Sequence, residues 1–329
     1  MSAFAESADF SALLDADRYA ARSSAFDRHV QAAHRRHWDP QDPLHIDFSQ
    51  PFDTGTQSIL PFDLVPELGS AVADRIGPSR HTHFANETAR WWLSGILHGE
   101  QAALSLACSL ANCLHDAGTV EYVTTQAQEE ARHVHAFTRY IAARWQRPFR
   151  ATPALSGLLE EMVEARHVPT KIVGMQLVVE GMAMGLLATL HRRTADPLLH
   201  RLTELVMADE AQHHRVGKTW VEDDLSAIDE TSRHALEDWA LRCFRVLVEN
   251  MNHPKEKAEL YADFGIEWEW AARALREAYG TQALRDQVRQ AHRVFHPLVT
   301  SLLEAGLITR RTRHFYALWF DLDALTEVS

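Results

Sequence analysis

The sequence predicts an all-α protein, a bundle of long helices with further helices at both ends, and three observations carry that expectation. Among 329 residues there are only 14 Gly and 12 Pro, below average usage, which disfavours a many-turned β architecture. Apolar residues recur at helical spacing over long segments, and no strand-like alternation competes with that period. The breaks between periodic segments are short and rich in turn residues, as at His115-Asp116-Ala117-Gly118 and Thr194-Ala195-Asp196-Pro197.

Taken in chain order, residues 1 to about 36 read as helical. A Pro- and Asp-rich stretch follows, HWDPQDPLHIDFSQPFDTGTQSILPFD, which is expected to wrap the surface of the main body. Periodicity predicts long helices over about 82–114 and 119–145, the second stopped near Pro148. A short amphipathic helix is predicted over 155–167, and two more long ones over about 170–193 and 198–221. The remainder, 226–326, reads as four helical segments with breaks near Asn252-His253-Pro254, Gly280 and Gly306. One domain results, made of an N-terminal helix and wrapping segment (1–81), a four-helix core (82–222) and C-terminal helices packed on it (223–329).

Composition narrows the function. A hydrophobic content of 46% supports a substantial core and excludes disorder as the main state. The net charge of −12 lacks the basic footprint of a nucleic-acid binder. Cys108, Cys113 and Cys243 form no CxxC pair, so neither a disulfide framework nor a zinc ribbon is expected, and a reducing cytoplasm fits best. Acidic residues stand at the N-terminus where a signal peptide needs a basic region. Ile172 to Leu190 is apolar enough to suggest a membrane span, but Glu180 sits near its centre. A mid-bilayer carboxylate is costly, and a helix buried in the core is the better reading.

A repeat carries the chemistry. Glu129-Glu130-Ala131-Arg132-His133 and Asp209-Glu210-Ala211-Gln212-His213 share the pattern acid-Glu-x-x-His, which puts Glu and His on one helix face. Each follows a Glu inside an apolar helix by 30 residues, Glu100 before Glu130 and Glu180 before Glu210, and the whole set recurs at an offset of 80. The midpoints, 115 and 195, fall at the two predicted turns. Two antiparallel helices place positions equidistant from their turn side by side, so four helices can converge on one point. Glu100 lies among Leu93, Ile96, Leu97, Ala103, Leu104, Ala107, Leu110 and Ala111, and Glu180 among Val173, Leu177, Ala183, Met184 and Leu187. Unpaired ionised carboxylates there would each cost several kcal/mol, at least, and no Lys or Arg stands at their level. Two divalent cations held by four carboxylates and two imidazoles resolve the problem, and this donor set suits Fe(II) or Mn(II).

One Glu from each of two helices with Glu-x-x-His from each of two others resembles the ferritin-like di-iron carboxylate superfamily, the likeness covering residues 84–220. The resemblance implies a ferritin-like four-helix bundle holding two Fe ions, with Mn or a mixed Mn/Fe pair as variants. It implies that Glu130 and Glu210 bridge the metals while Glu100 with His133 and Glu180 with His213 complete the ends. Glu129 and Asp209 are then placed to accept the free N–H of the opposite helix's His.

Chain length makes the sequence more similar to the oxygen-activating branch than to storage ferritins. That branch comprises mono-oxygenase hydroxylases, acyl carrier protein desaturases, arylamine N-oxygenases and the radical subunit of ribonucleotide reductase. Individual subgroups fit less well. Phe137 stands where the reductase subunit has its radical Tyr, Val206 where N-oxygenases have an extra His, and Met184 where hydroxylases have Thr. The expected activity is oxidation of a small, largely apolar substrate by dioxygen, as hydroxylation, desaturation or N-oxygenation. Leu104, Phe137, Leu177, Met184 and Met207, one turn from the ligands, are candidate pocket residues, and Trp91 and Trp92 are equally readable as pocket or core. With no flavin or iron-sulfur motif visible, an external ferredoxin or reductase is implied. A homodimer is allowed, and neither nucleic acid nor a membrane span is expected. The competing reading is a ferroxidase, metal-binding or peroxide-consuming protein without an organic substrate. A sizeable cavity against the metals separates the two.

Overall fold

Side-chain caps set several of the helix starts along this chain. The structure, a computed structural model, describes residues 9–226, 228–291, 293–320 and 322. Near the N-terminus, Asp9 and Asp15 accept the Ser11 and Asp17 backbone N–H groups and start two short helices, α1 (Phe10–Leu13) and α2 (Ala16–Ala20). After α3 (Asp27–Arg35) the irregular stretch begins. The region expected as one helix is therefore three pieces from residue 9 onward, because its Asp and Ser residues cap new turns as readily as they continue old ones. Residues 1–8 of that expectation lie outside the described residues, as do 323–326 of the last predicted segment.

The irregular stretch does more than wrap a surface. Trp38, Ile59 and Leu60 are buried in the core. The Asn86 side chain accepts from Ile59 N at 2.8 Å and donates to the Thr54 and Gln57 carbonyls, tying the stretch to the first long helix. After α4 (Ala71–Ile76), α5 (His81–Cys113) and α6 (Ala117–Trp145) form a hairpin whose turn is centred on His115. Asp116 caps α6 by accepting from Thr119. Beyond α7 (Pro153–Val163), α8 (Val168–Val173) runs through a π-helical segment, Gly174–Val179, into α9 (Glu180–Arg193). A second hairpin joins α9 to α10 (Pro197–Ser226) through a turn centred on Ala195, and Asp196 caps α10 through Leu198 N.

These two hairpins are the four-helix core. α5 packs along α6 and α9 along α10, while α6 meets α10 and α5 meets the π segment. α3 covers α6 and α10; α7 lies on α5; α11 (Glu230–Asn252) lies on α7 and the π segment. The chain closes with α12 (Ala258–Asp263), α13 (Trp268–Ala291, kinked at Gly280 with φ +58°), α14 (His296–Glu304) and α15 (Arg313–Tyr316). No β-strand occurs among the described residues. The architecture is all-α and ferritin-like, with helices added at both ends.

Val168–Arg193, the segment apolar enough to cross a membrane, has 72% of its most apolar window buried inside the protein. Two small residues explain how α14 and the turn before it, Arg293–Phe295, can lie against it. A Cβ on Gly181 would come within 2.8 Å of Leu298 Cα, and one on Gly185 within 1.7 Å of the Val294 carbonyl oxygen. Gly185→Ala is therefore expected to destabilise the protein by about 1–3 kcal/mol through overpacking. Gly157→Ala, on the open face of α7, is expected to stabilise it by about 0.5–1 kcal/mol through helix propensity. Chemical denaturation of the two variants checks the opposite signs.

Candidate metal centre

The helix register places eight side chains around one point. α5 supplies Glu100, α6 supplies Glu129, Glu130 and His133, the first turn of α9 supplies Glu180, and α10 supplies Asp209, Glu210 and His213. Glu100, Glu130, His133, Glu180, Glu210 and His213 are each 4% exposed or less. They form two overlapping groups, Glu100-Glu130-His133-Glu210 and Glu130-Glu180-Glu210-His213, and within each group one donor atom per residue lies within 4.8 Å of the others. Glu130 and Glu210 belong to both groups, so two cations can share them.

Both imidazoles turn Nδ1 inward. His133 Nδ1 lies 2.9 Å from Glu210, 3.3 Å from Glu100 and 3.4 Å from Glu130. His213 Nδ1 lies 3.1 Å from Glu130, 3.2 Å from Glu210 and 3.7 Å from Glu180. Their other nitrogens are held from across the bundle, His133 Nε2 by Asp209 at 3.1 Å and His213 Nε2 by Glu129 at 2.8 Å. Asp209 and Glu129 accept from the Nε2 N–H groups, so each ring is fixed with Nδ1 toward the acids, the atom that would bind a metal in exchange for its proton.

The same side chains are incompletely satisfied without one. Glu100 Oε1, both Glu130 oxygens, Glu210 Oε1 and His133 Nδ1 are fully buried and make no hydrogen bond; His133 Nδ1 is close to Glu210 but without hydrogen-bond geometry. Buried polar atoms in native proteins are paired, and buried carboxylates especially so. The residues present fit a metal pair on this ground, and two divalent cations neutralise the four acids.

Electrostatics point the same way. Burial, with repulsion from Glu210, pushes the Glu100 carboxyl up to about 8. Burial and the charges of Glu210 and Glu130 push Glu180 well above its ordinary value. Against burial, a hydrogen bond from Glu180 and the charge of His213 hold Glu210 well below its own. Asp209, also against burial, is held at about 2 by His133 and Arg132.

Around this centre stand residues that spacing did not reveal. Asp209 Oδ2 also accepts from Trp38 Nε1 and Arg132 Nη2, both at 2.8 Å. Trp38 comes from the irregular stretch, where no periodicity flags it. Gln126 Nε2 donates to Glu180 Oε1 at 2.9 Å, and Gln176 Nε2 donates to Gln126 Oε1 at 2.9 Å. Gln126 was readable, since it stands one turn before Glu130 on the same face. Gln176 belongs to the π segment, which an apolar run does not announce. His81 contacts the Ala73 carbonyl and His214 the Ser301 hydroxyl, both away from the centre.

A cavity opens from the carboxylates toward the outer helices, with about 940 Å³ of empty space including its solvent-open mouth. Glu100, Glu130, Glu180 and Glu210 form its inner end, and its walls come from α5, α7, the π segment, α9 and α11. The pocket assignment from sequence needs correction here. None of Leu104, Phe137, Leu177, Met184 and Met207 lines the cavity. Phe137 and Leu177 are buried in core packing, and Leu104 and Met207 pack at its edge. The cavity lies between the bundle and α7 and α11, so the residues exposed to it are three after the α5 and α9 acids, Ala103 and Ala183, rather than four after. Trp91 and Trp92 do line it.

No protein-family model and no curated protein matches the chain. Among solved structures it is similar to a variant of an R2-like ligand-binding oxidase with an anaerobically reconstituted Mn/Fe cofactor. The identity is 15%, with 88% of this chain and 94% of that chain covered and a TM-score of 0.48. The class of the present chain rests on its own helices and side chains: a ferritin-like bundle with buried carboxylate and imidazole groups able to hold a metal pair.

Removal of metal gives this centre a definite pH signature. Glu100, Glu180, His133 and His213 all hold protons more tightly folded than unfolded. The stability each contributes is full below its ordinary value, 4.5 for Glu and 6.5 for His, and is lost as pH rises through the folded value. Asp209 and Glu210, with lowered values, lose theirs only in acid. Metal-free protein is therefore expected to melt at progressively lower temperature between about pH 6.5 and pH 8, and added Fe(II) or Mn(II) to reverse the loss. A metal-free melting temperature that rises over that window contradicts the assignment.

Proposed function

We propose that the chain is a di-metal oxidase that uses dioxygen to oxidise a small, largely apolar organic substrate. The reading is carried by one observation, the apolar cavity whose inner end is made of Glu100, Glu130, Glu180 and Glu210. Its apolar walls, running from the mouth to these carboxylates, support an organic substrate over a ferroxidase or peroxide-consuming role, which needs only a passage for ions. In this reading Glu100, Glu130, His133 and Glu210 would hold one Fe ion and Glu130, Glu180, Glu210 and His213 the other, with Mn in one or both places as a variant.

When bound, the metal pair supplies dioxygen activation and electron transfer; the chain supplies position and environment. Asp209 and Glu129 fix the two imidazole rings, and Gln126 steadies one oxygen of Glu180. Leu158, Met162 and Met182 keep water from the substrate side. The proposal includes an external electron donor, a ferredoxin or reductase, and a cytoplasmic setting.

The test is oxygen uptake by chemically reduced, iron-loaded protein with metal content measured in parallel. Wild type is expected to hold two metals per chain and to consume oxygen. Glu100→Ala and His213→Ala are expected to lose at least one metal and to slow uptake about 100-fold or more, since loss even of a ligand's supporting partner costs 10–100-fold. Variants that behave like wild type, or a protein that holds iron and takes up no oxygen, contradict the proposal.

A further inference from the structure

The two ends of the cavity differ in chemistry. At the inner end two divalent cations would neutralise the four carboxylates and leave no surplus charge to hold an ion. At the mouth stands Arg150, exposed, with no ion pair or hydrogen bond among the described residues. It is the one Lys or Arg among the described residues that line the cavity.

Two residues further on, Thr152 ties this rim to Asn250, which is 6% exposed and lines the cavity. Its Oδ1 accepts the Thr152 hydroxyl at 2.5 Å, while its Nδ2 has no acceptor among the described residues. Thr152 is also the cap of α7, so the positive end of that helix lies at the same rim. A guanidinium, a buried amide with free N–H groups and a helix N-terminus together make a seat for an oxyanion. Between mouth and metals the wall is apolar, including Leu158, Met162, Val178, Met182, Leu186 and Met251.

We infer that the substrate is an amphipathic organic acid, an apolar chain bearing an anionic head, seated with its head at Arg150 and Asn250 and its tail toward the four carboxylates. This rests on the oxidase reading for its consequence, which is that carbons remote from the head, not the head itself, lie next to the metals. The binding geometry stands on the cavity alone.

Calorimetric titration of the metal-loaded chain with decanoate and with 1-decanol tests it. Decanoate is expected to bind at least about tenfold tighter than decanol, the worth of one charged hydrogen bond. Arg150→Ala is expected to remove that advantage and leave decanol binding intact, which also shows that the variant is folded. Arg150→Lys is expected to restore part of it, and metal-free wild type to keep it. Equal binding of the two ligands, or decanoate binding that ignores Arg150 and requires metal, overturns the inference, the latter by placing the head on the metals. Oxygen uptake is read separately. Arg150-dependent decanoate binding in a protein that consumes no oxygen overturns the oxidase reading alone, and oxygen uptake with Arg150-independent binding overturns the ligand assignment alone.

Discussion

Four carboxylates share one buried, apolar volume, and most of the structure answers to that constraint. A single ionised carboxylate without a partner costs several kcal/mol in such surroundings, and here Glu130 and Glu210 lie within reach of both imidazoles, Glu100 of His133 and Glu180 of His213. Two protonated histidines and two protonated acids are the best the chain can arrange alone, and they leave Glu130 with neither oxygen hydrogen-bonded. Cations complete what the side chains begin. The two hairpins exist in matched form because only equal spacing from each turn brings Glu100 level with Glu130, and Glu180 level with Glu210.

The surroundings of the centre divide into two sides. One is polar and rigid, where Asp209 receives Trp38, Arg132 and His133 on a single oxygen and Glu129 holds His213. Restrained rings there keep each Nδ1 aimed inward. The other side is the apolar cavity beneath α7 and α11. Its placement depends on the π segment, because the segment sits immediately before Glu180 and sets which face of α9 looks outward. π-helical turns occur often at functional sites because an extra residue per turn redirects side chains without ending a helix.

Much of this was legible in the sequence, and the unequal legibility has a physical cause. Repeats with fixed spacing survive translation into three dimensions, since helix geometry is the same everywhere. That is why Glu100, Glu130, His133, Glu180, Glu210 and His213, together with the turns at 115 and 195, could be read directly. The cavity could not, because its walls come from helices whose packing on the core no local period encodes. Leu104 and Met184 follow from spacing to the acids alone; the cavity reaches those acids from the side of α7 and α11, where Ala103 and Ala183 face. Trp38 was hidden for a related reason, standing in an irregular stretch whose path is set by contacts such as Asn86 with Ile59. The π segment reads as an ordinary apolar helix, since its sequence differs in nothing but its hydrogen-bond register.

Anomalous X-ray scattering from crystals of the iron-loaded chain tests the central claim most directly. Two anomalous peaks are expected between α6 and α10, both shared by Glu130 and Glu210, one against His133 Nδ1 with Glu100 and the other against His213 Nδ1 with Glu180. A bundle interior without anomalous density, or a single peak at a site away from these six side chains, contradicts the account.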